Sequence, residues 1–139
     1  MIIEKLKRED LKLYKNLIDE CFDGSNDIDI YNEYDENANY EIIVAKKDGL
    51  IVGSITMYKI DLFTFSFQPV IEIFNVAVLE QYRGQKIAKK IFEYVFNYAK
   101  ENGYKSINLT CLDTAYDAHH LYESVGFSRT SSIKYNIKL

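Results

Sequence analysis

The stretch that decides the fold is Val76-Ala77-Val78-Leu79-Glu80-Gln81-Tyr82-Arg83-Gly84-Gln85-Lys86-Ile87-Ala88-Lys89. It ends a β-rich run that begins at Val70, turns at Gly84, and opens a run in which apolar residues recur every three or four positions up to Ala99. The pattern predicts a buried strand, a short polar turn and a long helix in direct succession. This arrangement points backbone N–H groups and the positive end of a helix dipole at one place, which favours an anion such as pyrophosphate.

Basic side chains surround the same turn, at Arg83, Lys86, Lys89 and Lys90. They strengthen the interpretation as a phosphate site, since they add positive charge to the helix N-terminus. The alternative for this segment taken alone is a purely structural strand–turn–helix connection.

Outside this stretch, strand and helix patterns alternate along a single domain, residues 1–139. Strands are predicted at Ile2–Leu6, Tyr40–Lys47, Leu50–Ile60, Val70–Leu79, Lys105–Cys111 and Ile133–Leu139, and helices at Arg8–Phe22, Ile87–Asn102 and Ala115–Ser124, with Ile28–Asn39 a shorter helix or a loop. Asp48-Gly49 is a hairpin signal between two of the strands. The order predicts an α/β fold with a mixed, mostly antiparallel sheet flanked by helices, and one parallel crossover between Val70 and Cys111.

The composition excludes several classes of protein. No apolar run approaches the roughly 18–20 residues that span a bilayer, and no signal sequence is evident, so we expect no membrane association. Cys21 and Cys111 form no CxxC pair and are expected to be free thiols in the cytoplasm. The histidine pair has no cysteine cluster nearby, so no metal site is expected. A pI of about 5.2 disfavours nucleic-acid binding.

Charge is distributed unevenly along the chain. Residues 1–78 hold 15 Asp and Glu against 8 Lys and Arg, whereas residues 79–139 hold 6 against 9. Nine acids lie between Asp19 and Glu41 with no Lys or Arg among them. The asymmetry indicates a cationic ligand for the first half and a phosphate-bearing ligand for the second. The alternative is that the acids only solvate a loop.

Two sequence blocks carry a family resemblance. They are Tyr82-Arg83-Gly84-Gln85-Lys86-Ile87-Ala88 and Ala118-x-x-Leu121-Tyr122-Glu123-x-x-Gly126-Phe127. The blocks, separated by one helix and one strand, resemble the two signature blocks of the GNAT superfamily of N-acetyltransferases. The likeness covers Val70–Phe127 by motif and the whole chain by element order. Two positions depart from the usual pattern: Lys86 replaces the central glycine of the turn, and Ala115 replaces an asparagine that often contacts the pantetheine arm.

The resemblance implies a GNAT fold with acetyl-CoA as co-substrate. The strand before the turn would separate from its neighbour, so that the backbone of Val76, Ala77 and Val78 pairs with the pantetheine amides as an added strand would. The pyrophosphate would be held by Arg83, Gly84, Gln85, Lys86, Ile87, Ala88 and Lys89.

Two residues are candidates for the chemistry. Tyr122 matches the family tyrosine that lies beside the coenzyme A sulfur, so it is the expected general acid; the alternative is a packing role. Glu72 is the sole charge in its strand and lies 14 residues before Lys86, a spacing similar to that of the catalytic glutamate in histone acetyltransferases. An apolar surrounding would suit it to act as a base, whereas the alternative is a substrate-binding carboxylate with a water chain as base. A backbone N–H at Val76 or Val78 would polarise the thioester.

Other reactive side chains near these blocks are expected to be structural. His119 and His120 are expected to face solvent or the adenosine end, and Cys111 is expected to lie in the core without a base in reach. Phe63, Phe65 and Phe67 alternate as they would on one strand face, which suits either an interface of a homodimer or the core.

The sequence therefore predicts an N-acetyltransferase that moves an acetyl group directly from acetyl-CoA to a primary amine. The acceptor is expected to be a small molecule or peptide and to be cationic. The alternative is a catalytically silent, regulatory module that binds coenzyme A.

Overall fold

A computed structural model describes residues 1–22 and 39–139 of the chain. The strands are β1 (Ile2–Lys5), β2 (Tyr40–Lys47), β3 (Leu50–Ile60), β4 (Val70–Val78) and β5 (Ser106–Leu109); the helices are α1 (Leu11–Cys21), α2 (Thr64–Phe67), α3 (Ile87–Glu101) and α4 (Tyr116–Ser124). Single 3-10 turns lie at Arg8–Asp10 and Glu80–Tyr82. The segment Ile28–Asn39, predicted to be a shorter helix or a loop, lies outside the described residues except for Asn39.

The five strands form one sheet in the order β1-β2-β3-β4-β5. The first three neighbouring pairs are antiparallel, and β4 pairs with β5 in parallel, joined by the crossover helix α3. Asp48 and Gly49, with φ of 54° and 73°, form the two-residue turn between β2 and β3, which suits the twist of an antiparallel hairpin. The predicted mixed, mostly antiparallel sheet with flanking helices is confirmed.

The core lies on both faces of β3, whose residues 51–57 are all buried. On one face α1 places Tyr14 beside Thr56. On the other face α3 brings its apolar side to the sheet, with Ile91 and Phe92 almost fully buried. Helices on both faces explain why β3 reads as a nearly continuous apolar run rather than an alternating one.

Gly53 on β3 sets how closely α3 approaches the sheet. A Cβ atom at this position would lie 2.8 Å from Cγ2 of Ile87 and 3.2 Å from the carbonyl oxygen of Ala77. Because glycine has no side chain there, Ile87, the first residue of α3, packs directly against β3 and β4. The N-terminus of the helix is thereby held next to the end of β4.

Two predicted elements are wrong. Residues 128–139 form no strand, although Ile133–Leu139 has the alternation of one, because no neighbouring strand pairs with it in the described part of the chain. The three phenylalanines after β3 do not alternate on a strand either, since Thr64–Phe67 forms the one-turn helix α2. Ser66 and Phe67 have φ of 61° and 57°, which is incompatible with an extended strand.

Candidate active site

A bulge interrupts β4 in its middle. Ser54 pairs with Ala77 and Thr56 with Phe74, so β4 carries one residue more than β3 over this interval. Asn75, inside the bulge, has a φ of 54°, and asparagine is one of the residues that tolerates this left-handed conformation. The bulge bends the strand and changes the direction of the residues that follow it.

Beyond the bulge, β4 separates from β5. The parallel pairing runs from Val70–Ser106 to Ile73–Leu109 and stops there, whereas β4 continues to Val78. The β5 side of the last five residues of β4 therefore has no partner strand among the described residues. This segment contains Val76, Ala77 and Val78, and its free edge is the kind that an extended ligand occupies as an added strand.

The end of β4 leads into an uncapped helix N-terminus. After the 3-10 turn, Gly84 and Lys86 both have left-handed backbone conformations, with φ of 79° and 62°, and α3 begins at the next residue. No side chain caps this helix, so the N–H groups of Ile87, Ala88 and Lys89 have no acceptor within the helix. They point outward from the positive end of the helix dipole, which is the geometry of an anion site.

Lys86 occupies the position where the resemblance leads one to expect a glycine. The left-handed backbone conformation of residue 86 explains why glycine is usual at this position, because a residue with a side chain costs about 1–2 kcal/mol in that conformation. The Lys86 side chain is exposed. It therefore leaves the backbone N–H groups of the first helical turn open and adds its charge from the solvent side.

Polar contacts from the β2–β3 hairpin support the turn. Lys47 Nζ donates a hydrogen bond to Gln85 Oε1 at 3.0 Å, and the Tyr82 hydroxyl donates to Asp48 Oδ2 at 3.0 Å. The hydrogen bond to Asp48 is the main reason that the pKa of Tyr82 lies above its ordinary value. Gln85 thus contributes to the turn through its side chain, while Arg83 is exposed at its surface.

Tyr122 lies on α4 and is half-buried by aromatic neighbours. Its ring packs edge to face against Phe92, with centroids 5.9 Å apart, and against Phe127 at 6.1 Å. Burial, followed by the proximity of Cys111, raises the pKa of the Tyr122 hydroxyl. The phenol therefore stays protonated well above neutral pH, as a proton donor must.

Cys111 has a basic neighbour, contrary to the expectation from sequence. Its Sγ lies 3.7 Å from Nδ1 of His119. Nε2 of the same imidazole lies 2.9 Å from the carbonyl oxygen of Leu112 and 3.1 Å from that of Asp113, so Nε2 carries the proton and Nδ1 faces the thiol. The His119 side chain is half-buried and holds the loop between β5 and α4, so its placement at the adenosine end stays a prediction, whereas His120 is exposed as expected.

Glu72 lies on the paired part of β4, on the face opposite Ile71 and Ile73. It receives a hydrogen bond from Asn108 Nδ2 at 3.2 Å, and its partner in the antiparallel register is Tyr58. Glu72 is half-buried and Tyr58 and Asn108 are exposed, so the predicted apolar surrounding of this carboxylate is wrong.

The acidic segment is described only at its two ends. Asp19 pairs with Lys15, and Glu41 pairs with Lys59 at 3.2 Å, so these two acids do have basic partners outside the segment. Asp27, Asp29, Asp35 and Glu36 lie outside the described residues.

The described residues contain neither a cluster of metal-ligating side chains nor a helix that could span a bilayer. No three His, Cys, Asp or Glu side chains lie together as a metal site would require. None of the helices in residues 1–22 and 39–139 has both the length and the apolar character of a bilayer span.

A bulged strand that separates from its parallel neighbour and runs into an uncapped helix N-terminus is the site geometry that the resemblance implies. The sequence model of the Acetyltransferase (GNAT) family matches residues 11–127. The chain belongs to this family. This confirms the resemblance found in the two sequence blocks.

Individual relatives agree with the family. The mouse "Probable N-acetyltransferase family 8 member 5" is 31% identical over 117 residues, which are 84% of this chain and 50% of that protein. The chain spans about half the length of the curated relatives it matches.

Solved structures share the fold at lower identity. Glucosamine-6-phosphate N-acetyltransferase from Arabidopsis thaliana superposes with a TM-score of 0.83 at 21% identity, covering 98% of this chain and 97% of that one. AAC(6')-Iy in complex with the bisubstrate analogue CoA-S-monomethyl-acetylneamine superposes with a TM-score of 0.85 at 16% identity, covering 99% and 97%.

Proposed function

We propose that the protein transfers an acetyl group directly from acetyl-CoA to a primary amine of a small molecule or peptide. The observation that carries the proposal is the continuity between the free edge of β4 and the uncapped N-terminus of α3. An extended pantetheine arm and a pyrophosphate are joined in one molecule, and these two features accept them side by side. The coenzyme A analogue bound to AAC(6')-Iy supports this choice of donor.

The backbone and basic side chains have separate roles in donor binding. The N–H groups of Ile87, Ala88 and Lys89 hold the pyrophosphate, with Arg83 and Lys86 adding charge. The backbone of Val76–Val78 pairs with the pantetheine amides. An N–H of Val76 or Val78 then donates a hydrogen bond to the thioester carbonyl oxygen and stabilises the oxyanion that forms there.

Tyr122 is the general acid in this proposal. The amine attacks the thioester carbon, the carbon–sulfur bond breaks, and the Tyr122 hydroxyl donates a proton to the departing thiolate. Its raised pKa keeps the proton on the phenol until that step.

Glu72 receives the proton that the amine loses. It lies four residues before Val76, on the other side of the Asn75 bulge and at most about 13 Å away along the strand, and in this proposal the proton passes to it through water. The exposed face around Glu72 leaves room for that water. A role for Glu72 in binding the acceptor ammonium is the alternative, and it predicts a raised acceptor KM with an unchanged kcat in Glu72→Gln.

A cationic acceptor is supported by a row of side chains across one sheet face. Tyr40, Tyr58, Glu72 and Asn108 are successive register partners on β2, β3, β4 and β5, so they share a face. The rings of Tyr40 and Tyr58 meet edge to face at 5.9 Å. A carboxylate beside aromatic rings attracts an ammonium group by charge and by cation–π interaction.

Release of free thiol from acetyl-CoA tests the activity against a panel of amines. The panel pairs each cationic amine with a neutral amine of the same length, together with peptides that have free N-termini. We expect turnover with cationic amines, and binding of coenzyme A to raise Tm by mass action. A Tm shift with no turnover on any amine would instead support the silent coenzyme A-binding module, and no Tm shift at millimolar acetyl-CoA would refute both.

The acidic segment is tested separately. Changing Asp27, Asp29, Asp35 and Glu36 to amides is expected to raise the acceptor KM and to leave the acetyl-CoA KM unchanged. Added salt should act in the same direction, because exposed charges are screened beyond about 8–10 Å. An unchanged acceptor KM would mean that the acids only solvate the chain.

The location in the cell is a further part of the proposal. Cys21 and Cys111 are both free, as in proteins of a reducing compartment, which supports the cytoplasm. Fractionation of cells that express the tagged chain checks this.

A further inference from the structure

The contacts around Cys111 have the arrangement of an activated nucleophile. Its Sγ lies 3.7 Å from Nδ1 of His119. Nε2 of the same ring lies 2.9 Å from the carbonyl oxygen of Leu112 and 3.1 Å from that of Asp113. Because Nε2 donates to these oxygens, Nδ1 carries the lone pair and can accept the proton of the thiol. A nucleophile, a base and a group that orients the base are the parts that covalent catalysis by cysteine requires.

The thiol lies where the sheet opens. The parallel pairing of β4 and β5 ends at Ile73 and Leu109. Cys111 comes two residues after the end of this pairing on one side, and Asn75, the bulge residue, comes two residues after it on the other. Cys111 is therefore on the β5 side of the opening, at the level where the free edge of β4 begins. It is only half-buried, so a ligand in the opening can reach it.

Tyr122 connects this thiol to the candidate active site. Cys111 is close enough to contribute, after burial, to the raised pKa of the Tyr122 hydroxyl. In the proposed function that hydroxyl gives a proton to the thiolate of coenzyme A. The thiol of Cys111 and the thioester of acetyl-CoA are therefore expected at the same place, and the transfer to an amine gives Cys111 no role.

We propose that Cys111 is a second acceptor of the acetyl group, which it takes from acetyl-CoA when no amine is bound. The proposal rests on the proposed function, because it requires acetyl-CoA in the donor site. The proton of Cys111 passes to Nδ1 of His119, the thiolate attacks the thioester carbon, and the bond from that carbon to the sulfur of coenzyme A breaks. His119 returns the proton to the departing thiolate, so the products are S-acetylated Cys111 and coenzyme A.

Exchange of an acetyl group between two thiols is reversible. One thioester forms for each thioester that breaks, so neither direction is strongly favoured. The acetylated fraction of Cys111 is therefore set by the ratio of acetyl-CoA to coenzyme A. Transfer to an amine differs, because it replaces a thioester by a more stable amide.

Cys21 provides a matched control within the same chain. It is also half-buried, but its Sγ contacts the carbonyl oxygen of Val78, at 3.7 Å, rather than a ring nitrogen. Burial raises the pKa of this thiol, which lowers the fraction of thiolate, the form that attacks a thioester. We therefore expect acetylation at Cys111 and not at Cys21.

Mass spectrometry of the full chain, incubated with acetyl-CoA and no amine, tests the proposal. We expect the added mass of one acetyl group, located by peptide mapping on Cys111 and removed by neutral hydroxylamine, which cleaves thioesters but not amides. The acetyl group should be absent in Cys111→Ser, present in Cys21→Ser, and reduced when coenzyme A is in large excess over acetyl-CoA. An unmodified Cys111, equal acetylation of the two cysteines, or an acetylated fraction that excess coenzyme A does not lower overturns the proposal.

The variant His119→Gln separates the base from the support of the loop. The glutamine amide can still donate a hydrogen bond to the carbonyl oxygens of Leu112 and Asp113, but it has no basic nitrogen. Acetylation of Cys111 should be about 100-fold slower and should reach the same final extent. An unchanged rate overturns the activation of the thiol by His119, and with it the proposal.

Two measurements on the same preparation distinguish this proposal from the proposed function. They are the Tm with coenzyme A and the release of thiol with amines. A raised Tm and turnover of amines, with Cys111 unmodified, overturn the acetylation of Cys111 alone. An unchanged Tm together with an unmodified Cys111 overturns both.

Discussion

The close contact between Gly53 and Ile87 leads to a prediction about coenzyme A affinity. In Gly53→Ala the new methyl group would lie 2.8 Å from Ile87 Cγ2, 3.1 Å from Ile91 Cδ1 and 3.2 Å from the Ala77 carbonyl oxygen. The backbone oxygen cannot move without disturbing β4, so α3 has to shift at its first turn. The N–H groups that would hold the pyrophosphate shift with it.

The expected loss of stability follows from two opposing effects. Overpacking of this kind costs about 1–3 kcal/mol, and replacing glycine by alanine recovers about 0.4–1 kcal/mol through the unfolded chain. The free energy of unfolding should therefore fall by about 1–2 kcal/mol. For a chain of this length 1 kcal/mol corresponds to roughly 3 °C, so Tm should fall by about 3–6 °C.

Thermal unfolding and calorimetric titration with coenzyme A measure the two consequences. We expect a lower Tm and a Kd for coenzyme A at least tenfold higher. The double variant Gly53→Ala/Ile87→Leu also removes the Cγ2 branch of Ile87 at nearly constant volume. It should recover part of the lost Tm and part of the lost affinity for coenzyme A. If Tm falls while the Kd for coenzyme A stays at the wild-type value, the position of the α3 N-terminus does not control the affinity and the reasoning is refuted.

Three further predictions concern single side chains of the site. Lys86→Gly should raise the free energy of unfolding by about 1 kcal/mol, because glycine removes the strain of a side chain at a left-handed backbone position. Lys86→Ala loses the same charge but keeps that strain, so it should not raise the free energy of unfolding. Equal Tm values in the two variants would contradict this reasoning. Tyr122→Phe should lower kcat about 100-fold with an unchanged Kd for coenzyme A. The wild-type alkaline limb of kcat should lie at a higher pH than an ordinary phenol would give, because burial raises the pKa of Tyr122. Wild-type turnover in the variant removes Tyr122 from the mechanism. Alkylation of Cys111 in a Cys21→Ser background should abolish turnover and be slowed by coenzyme A, because the thiol lies beside Tyr122; unaltered turnover after complete alkylation contradicts this placement.

Local signals in the sequence were sufficient for most of the fold. Asp48-Gly49 is typical of a hairpin turn with positive φ at both residues. In residues 76–89 the spacing of apolar residues changes at the turn from that of a strand to that of a helix. Both features could therefore be predicted without knowledge of the rest of the chain. Residues 133–139 show the limit of such signals. Their alternation predicts a strand with one buried face, but alternation alone does not determine whether a neighbouring strand is available to pair with it.

Contacts within the site were harder to predict because they depend on how loops bend. The pairing of Cys111 with His119 requires the β5–α4 loop to place the ring nitrogen 2.9 Å from the Leu112 carbonyl oxygen, and no spacing rule encodes that bend. The bulge at Asn75 had a weak signal, because asparagine tolerates the left-handed region. Gly53 had none, since a glycine inside a strand does not indicate which residue approaches it.

The bulge at Asn75 divides β4 into two parts with different partners. Before it, Glu72 is paired with both β3 and β5 and receives a hydrogen bond from Asn108. After it, Ala77 and Val78 pair with β3 but not with β5. The candidate base and the candidate donor site are therefore held on one continuous strand, and their separation is set by the strand rather than by mobile side chains. In the proposed mechanism the amine's proton therefore reaches Glu72 through water, and the acceptor amine binds over the bulge between the two parts.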